Sequence, residues 1–146
     1  MNAASISPQI EADLMRIEST GVSPRRIWAG RILTSLSALF LLMDGSTKLF
    51  KPPFVIEATA RLGYSESTIV GIGVTLLVCT VLYLIPRTAV LGAILLTAYL
   101  GGAVASNVRA GTPLFNMVFP ILFGIMAWAS LVLRDKRLES ILLKAE

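Results

Sequence analysis

The sequence predicts an all-α protein, a four-helix transmembrane bundle with short interfacial helices. Hydrophobic residues make up 55 % of the 146 residues, charged residues only 15 %, and the mean hydropathy is +0.75. Soluble domains usually carry about 25 % charged residues. Four apolar stretches also each approach the roughly 20 residues with which a helix crosses the membrane. A soluble bundle of this size would have too little polar surface to cover them.

The four predicted spans follow one another with short breaks. They cover, approximately, residues 27–50, 68–85, 88–106 and 114–133. Pro86 suits the first turn of a helix, so spans two and three are predicted to form a tight antiparallel hairpin. Pro113 can open span four in the same way.

The connection between spans one and two is longer and carries a short helix of its own. Pro52 and Pro53 stop the first span, and a helix from Phe54 to Leu62 is then predicted to end at Gly63. Glu57 and Arg61 are four residues apart, so they can pair on one face of this helix. We expect it to lie on the outer membrane surface.

Three regions follow from this layout. Residues 25–135 form the membrane domain, residues 1–24 a cytoplasmic extension, and residues 136–146 a cytoplasmic amphipathic tail. Ser7 can cap an amphipathic helix in the extension, and Leu138, Ile141 and Leu142 form an apolar stripe in the tail. The alternative for both ends is a frayed terminus with chance periodicity.

The positive charges predict an orientation. Nine of the 13 Lys and Arg residues fall on the side of the two termini, and four fall on the opposite side: Lys48, Lys51, Arg61 and Arg109. This asymmetry places both termini in the cytoplasm of a cell that carries the protein in its plasma or inner membrane. Basic ends beside anionic lipid explain the net charge of +4, so no nucleic-acid partner is expected.

Two absences narrow the chemistry. The chain has no histidine, which excludes His-liganded haem, His-based metal sites and a Ser-His-Asp triad. Its single cysteine, Cys79, excludes an internal disulfide and a C-x-x-C redox pair. We therefore expect no metal site and no catalytic residue set.

Charged residues inside a span are the best functional indicators in this sequence. Asp44 and Lys48 lie near the end of span one, adjacent on one helix face. Gly30 and Ser37 share that face, which we expect to turn toward the other helices. At 1.5 Å per residue Asp44 lies about 26 Å along the span, near the outer interface.

The topology gathers further polar residues at the same level. The candidate ligand-binding or polar cluster comprises Asp44, Lys48, Glu57, Arg61, Asn107, Arg109 and Asn116, with Glu66 beside them. Acids and bases are balanced, which suggests a paired network. Two interpretations stay open: a salt-bridge cap that fixes the helix register, or a binding or redox pocket.

Spans three and four carry weaker patterns. Small residues at Ala98, Gly102 and Ser106 are interpreted as a face for close helix packing. In span four the face from Asn116 to Trp128 is also interpreted as packing, with a cavity lining as the alternative. Tyr99 needs a partner for its hydroxyl, either another helix or a bound quinone. Trp28 and Tyr83, near span ends, suit the aromatic belt.

Several stretches together resemble the DoxX-like family of small bacterial membrane proteins. They are Arg31-Ile-Leu, Asp44-Gly-x-x-Lys-Leu49, Leu62-Gly-Tyr64, the run from Leu84 to Ala93, the run from Tyr99 to Ala105, and Arg109-x-Gly-x-Pro-Leu-Phe115. The resemblance extends from Trp28 to Asp135. Relatives often show His-x-Arg where this chain has Asn107-Val108-Arg109, and Asn cannot shuttle a proton near neutral pH.

The resemblance implies a four-helix integral membrane protein. Its wider family includes the small membrane subunit of an archaeal thiosulfate–quinone oxidoreductase. It also includes a mycobacterial protein that assembles with a superoxide dismutase and a sulfurtransferase. A quinone is the one candidate cofactor that follows.

Three functions are compatible with the sequence. The leading one is an accessory or anchoring subunit in membrane redox or oxidative-stress metabolism, associated with a quinone and with membrane or cytoplasmic redox proteins. The alternative is a transport-related protein that binds a lipid or small molecule at the outer end of the bundle. Independent catalysis ranks last, because no nucleophile–base pair is evident. Besides the lipid bilayer, a second copy of the chain is a candidate partner.

Overall fold

A computed structural model of the chain describes residues 23–135 without a gap, together with residues 9, 138, 140 and 141. Between residues 23 and 135 the chain forms five α-helices, one short 3-10 helix and no strand. The α-helices are α1 (Pro24–Phe50), α2 (Pro53–Arg61), α3 (Ile69–Leu84), α4 (Ala89–Arg109) and α5 (Leu114–Arg134), and the 3-10 helix (Glu66–Thr68) leads into α3. The predicted all-α class is confirmed.

Four of these helices are long and apolar enough to cross a membrane: α1, α3 with its 3-10 turn, α4 and α5. Their ends agree with the predicted spans to within three residues. The helix α1 starts earliest relative to the prediction, because Pro24 occupies its first turn and needs no backbone donor there. Each long helix leaves large apolar side chains exposed, among them Ile32, Leu39, Val78, Ile94, Phe115 and Ile125.

The long helices form a ring in which neighbours are antiparallel. The extensive contacts join α1 to α3 and α5, and α4 to α3 and α5, so α1 and α4 lie on a diagonal. The short helix α2 lies at one end of this ring, where α1 and α4 end and α3 and α5 begin. We call this the α2 end and the opposite one the terminal end.

The core contains Tyr83 as its largest fully buried side chain. Its hydroxyl forms a hydrogen bond with the Ser130 hydroxyl and donates a longer one, at 3.3 Å, to the Ala127 carbonyl. The expectation that Tyr83 belongs to an aromatic belt is therefore wrong, because its polar atom is satisfied inside the protein. Trp28 is 63 % exposed, consistent with its assignment to the belt.

The predicted hairpin of spans two and three is confirmed, and it is very tight. A methyl group at the Cβ position of Gly92 would lie 2.2 Å from the Tyr83 backbone nitrogen, so only glycine fits there. The Thr88 hydroxyl closes the turn by donating to the Leu82 carbonyl at 2.8 Å.

The predicted terminal helices lie mostly outside the described residues. Of the amphipathic helix in residues 1–24, only residues 9, 23 and 24 are described. In the predicted tail, Leu138 is helical and packs against the core, and Ile141 is helical and exposed. Leu142 lies outside the described residues.

Candidate functional site

A cavity of about 440 Å³ lies inside the α2 end of the bundle. We call it the central cavity. All four long helices and α2 contribute to its wall. Its polar lining residues are Asp44, Lys48, Thr59, Tyr64, Tyr99 and Ser106, and its aromatic lining residues include Phe40, Phe119 and Phe123.

Gly45 of α1 and Gly73 of α3 let these two helices pack closely beside the polar residues Asp44 and Lys48 of the cavity wall. A methyl group at the Cβ position of Gly45 would lie 2.8 Å from the Leu77 side chain, and one at Gly73 would lie 2.8 Å from Lys48 Cβ and 3.0 Å from the Gly45 carbonyl oxygen. Any larger residue would separate the helices. This close approach fixes where Asp44 and Lys48 stand relative to α3.

Asp44 and Lys48 form an ion pair on consecutive turns of α1, with 2.5 Å between Lys48 Nζ and Asp44 Oδ2. Their side chains are 38 % and 18 % exposed, respectively. Gly30 and Ser37 on the same helix face are buried, which confirms that this face turns inward. The pair supplies a cation and an anion whose net charge cancels, so it can serve a neutral ligand that needs a hydrogen-bond donor.

Tyr64 and Ser106 form the second polar group of the cavity. Their hydroxyl oxygens lie 2.6 Å apart, and the Ser106 hydroxyl donates to the Gly102 carbonyl at 2.8 Å. Since the Ser106 proton is engaged, Tyr64 is the donor to Ser106. This contact ties the segment after α2 to α4.

Arg109 contacts the same segment and pairs with no carboxylate among the described residues. Its Nη2 donates to the Leu62 carbonyl at 2.8 Å, and its guanidinium carbon lies 6.0 Å from the Tyr64 ring centroid. Gly63 between them has a positive φ of 84°, which lets the chain turn back toward α4. Arg109 therefore positions Tyr64 in the cavity wall.

Tyr99 is the polar group of the cavity that is left without a partner. Its hydroxyl makes no hydrogen bond to any residue that the structure describes. In the aromatic part of the wall, Phe40 of α1 stacks on Phe123 of α5 with 4.5 Å between the ring centroids. The Phe40 ring also meets the Phe119 ring edge-on, with 5.1 Å between the centroids. The cavity thus combines an aromatic wall with a free hydroxyl and an ion pair.

The other predicted site residues lie outside the central cavity. Glu57 and Arg61 pair at 2.5 Å on the exposed surface of α2, with side chains 66 % and 74 % exposed. Asn107 is buried, donates to the Ala103 carbonyl at 2.8 Å, and accepts from the Thr112 hydroxyl at 2.8 Å. Asn107 therefore links the last turn of α4 to the loop that follows it.

A second space at the α2 end, which we call the surface cleft, is lined by Arg61, Asn107 and Asn116. Its volume is about 660 Å³. Within the described chain, the ion pairs at the α2 end are three separate ones: Asp44–Lys48, Glu57–Arg61 and Lys51–Glu66, the last at 3.5 Å. The expected single network is thus divided, and only Asp44 and Lys48 of the predicted cluster reach the central cavity.

At Ala98 and Gly102 the small-residue face of α4 borders open space and not another helix of the described chain. Among the described residues, no atom outside the adjacent backbone of α4 lies within 4 Å of the Cβ position of Gly101 or Gly102, and Ala98 is exposed. The packing interpretation is wrong, because α4 makes its contacts through other faces, including Ala93 and Leu96. Gly102 instead lines the central cavity.

The predicted packing face of α5 also lines open space. A groove of about 870 Å³, which we call the side groove, runs between α4 and α5 and is bordered by Pro120, Gly124 and Trp128. Trp128 Nε1 donates to Thr97 Oγ1 of α4 at 2.8 Å, and both residues line the groove. The alternative of a cavity lining therefore holds for this face.

Sequence reasoning missed Tyr64, Thr59 and the phenylalanines as site residues. The four-residue spacing of Phe115, Phe119 and Phe123 was a usable signal, since it puts these rings on one face of α5. No sequence pattern indicated Thr59, because its place in the cavity wall depends on how α2 folds back over the bundle. Among the described residues, no group of three His, Cys, Asp or Glu side chains could hold a metal ion.

Four apolar helices long enough to span a membrane, arranged around a cavity with a few polar groups at one end, define a multi-pass membrane protein. The sequence agrees with a known family over most of this bundle. Residues 32–130 match the model of the DoxX-like family, and the chain belongs to that family. No curated protein and no solved structure matches the chain significantly.

Proposed function

We propose that this protein is an accessory subunit of membrane redox or oxidative-stress metabolism that binds a quinone in its central cavity and has no catalytic activity of its own. The single observation that carries the proposal is the composition of this cavity. The Tyr99 hydroxyl, which has no hydrogen-bond partner among the described residues, and the Lys48 ammonium line a mainly apolar space. The other polar lining residues, Asp44, Thr59, Tyr64 and Ser106, already have partners within the protein. Ligand sites are typically apolar with a few placed polar groups.

The polar groups suit the head of a quinone. A quinone ring is flat and neutral, and it carries two carbonyl oxygens that accept hydrogen bonds. Lys48 can donate to one of them while Asp44 keeps its charge compensated, and the Tyr99 hydroxyl can donate to a carbonyl as well. The Phe40, Phe119 and Phe123 rings offer a surface on which the quinone ring can stack.

The same composition argues against turnover by this chain alone. Asn107 stands where many relatives have a histidine, and its amide is already engaged with Ala103 and Thr112. A quinone needs protons and electrons to be reduced, and Asn supplies neither. Redox partners in the membrane or cytoplasm would therefore provide the chemistry.

The charge asymmetry supports an orientation for this site. With both termini in the cytoplasm, the α2 end and the central cavity lie at the outer level of the plasma or inner membrane. Arg134 at the terminal end donates to Thr34 at 3.1 Å, so one of the basic residues on that side also joins α5 to α1.

Binding of a tail-less benzoquinone to the purified protein in mild detergent tests the proposal. Tyr99→Phe removes one hydroxyl without changing the ring, and Lys48→Met removes the ammonium; each should weaken binding about tenfold. Lys51→Met is the matched control, because Lys51 belongs to a separate ion pair with Glu66 and does not line the cavity.

Equal affinity in all three variants would contradict the proposal. Organic extraction of the purified protein supplies an independent readout. Near-stoichiometric quinone that is lost in Tyr99→Phe would support it. Retention of a non-quinone lipid or metabolite at the same site would favour the alternative, a transport-related binding protein.

A further inference from the structure

The side groove is suited to binding a hydrocarbon chain. Its lining is almost wholly apolar, and the one indole N–H that borders it, that of Trp128, is engaged by Thr97. Along α5 the lining runs from Pro120 to Leu133, a length of about 20 Å at 1.5 Å per residue. The groove therefore extends from the level of the central cavity toward the terminal end.

The side groove and the central cavity share part of their walls. Leu100 and Pro120 line both spaces. At this level α4 carries two consecutive glycines, of which Gly101 borders the groove and Gly102 borders the cavity. Among the described residues, no atom outside the adjacent backbone of α4 lies within 4 Å of either Cβ position, so α4 places no side chain into either space at these two positions.

We infer that the side groove holds the prenyl tail of a quinone whose ring occupies the central cavity, so that this protein selects long-tailed quinones. The inference rests on the proposed function and adds which quinones are bound. The tail gains close packing against Leu100, Val104 and Pro120 that fluid lipid does not provide.

The charges of the central cavity favour a quinone over a phospholipid as the molecule whose tail lies in the side groove. A phospholipid would bring an anionic phosphate to the shared wall. Lys48 is already neutralised by Asp44 at 2.5 Å, so the cavity offers no net positive charge for that phosphate. A neutral ring with two acceptor oxygens meets no such penalty.

The test compares a tail-less benzoquinone with the same ring carrying a farnesyl tail, both titrated into the full-length protein in identical micelles. Gly101→Leu fills the side groove, Gly102→Leu fills the central cavity, and Gly71→Leu is the control. No atom of another described side chain or helix lies within 4 Å of any of the three Cβ positions, and Gly71 borders neither space. Each replacement also raises helix propensity, so the fold should persist.

In the wild-type protein and in Gly71→Leu we expect the tailed quinone to bind about tenfold more tightly than the tail-less one. In Gly101→Leu this advantage should fall to about twofold or less, while the tail-less quinone binds as in the wild type. Gly102→Leu should weaken the binding of both quinones.

Other outcomes overturn the inference in distinguishable ways. If the ring binds but Gly101→Leu keeps the full advantage of the tail, the groove does not hold the tail, and the proposed function stands. If Gly101→Leu changes only the oligomeric state, measured by light scattering, the groove belongs to a second copy. If neither quinone binds the wild-type protein, both the inference and the proposed function fail.

Discussion

Gly45 and Gly73 bring the backbones of α1 and α3 together one residue from Asp44. The Cβ position of Gly73 lies 3.0 Å from the Gly45 carbonyl oxygen and 2.8 Å from Lys48 Cβ. A close contact between two membrane helices thus lies directly beside the ion pair of the central cavity. Packing and site geometry depend on the same two residues.

Gly73→Ala should therefore lower both the stability and the quinone affinity of the protein. The added methyl group must push α1 away from α3, which we expect to lower the free energy of unfolding by about 1–3 kcal/mol. Unfolding in a detergent titration, read by circular dichroism, measures the change.

Gly71→Ala on the same helix is the control. Its Cβ position has no neighbouring side chain or helix within 4 Å in the described part of the chain, and the replacement should be neutral or stabilising by about 0.5–1 kcal/mol. Equal effects of the two replacements would show that the contact between α1 and α3 is not tight.

Asp44→Asn should leave the protein folded and inserted while it weakens quinone binding. The Asp44 side chain is partly exposed, and the amide still fills its place, so the bundle keeps its packing. Lys48 loses its counter-charge, and its ammonium is then less favourable in the cavity. Size-exclusion chromatography and quinone titration measure the two effects separately.

This variant decides between the two interpretations of the charged cluster. A protein that no longer folds after Asp44→Asn would identify the pair as a structural cap. A folded protein with unchanged quinone affinity would remove Asp44 from the site altogether.

Arg109→Gln should loosen the segment that carries Tyr64. The substitution removes the hydrogen bond to the Leu62 carbonyl and the guanidinium over the Tyr64 ring, at a cost of about 1–2 kcal/mol. Faster hydrogen exchange at Gly63 and Tyr64 is the expected signature.

Arg61→Gln provides the comparison, because Arg61 forms its ion pair with Glu57 on the exposed face of α2. It should change stability by less than about 0.5 kcal/mol. Should hydrogen exchange in Arg61→Gln match that in Arg109→Gln, the positioning role of Arg109 would be refuted.

Cysteine labelling should place the α2 end outside the cell. Cys79 is buried and can be replaced by Ala to give a background without thiols. Glu57→Cys, on exposed α2, should then react with a membrane-impermeant maleimide in intact cells. Ser23→Cys, at the terminal end, should react only after the membrane is opened. The reverse pattern would invert the proposed orientation.

The sequence was sufficient to predict the spans and the local pairs. Hydropathy identifies a span because an apolar segment in lipid satisfies its backbone hydrogen bonds by forming a helix. A separation of four residues brings Asp44 to Lys48 and Glu57 to Arg61 without any tertiary contact. Hairpin signals such as Pro86 are equally local. These features need only the geometry of one helix.

The central cavity could not be derived in this way. Its walls depend on how α4 is rotated about its axis, and Gly102 and Tyr99 are compatible with either packing or open space. In a soluble bundle, polar and apolar faces would settle this rotation. In lipid both the inside and the outside of the bundle are apolar, so hydrophobic periodicity carries little information about it.

The ion pair of α1 also bears on how the chain enters the membrane. Asp44 and Lys48 are one turn apart in one helix, so their contact exists as soon as that helix forms. The first span can therefore leave the insertion machinery with its charges already matched, before any later span has been synthesised. Insertion of α1 is in this sense independent of the assembled bundle, whereas the proposed role of the ion pair in ligand binding requires the other helices.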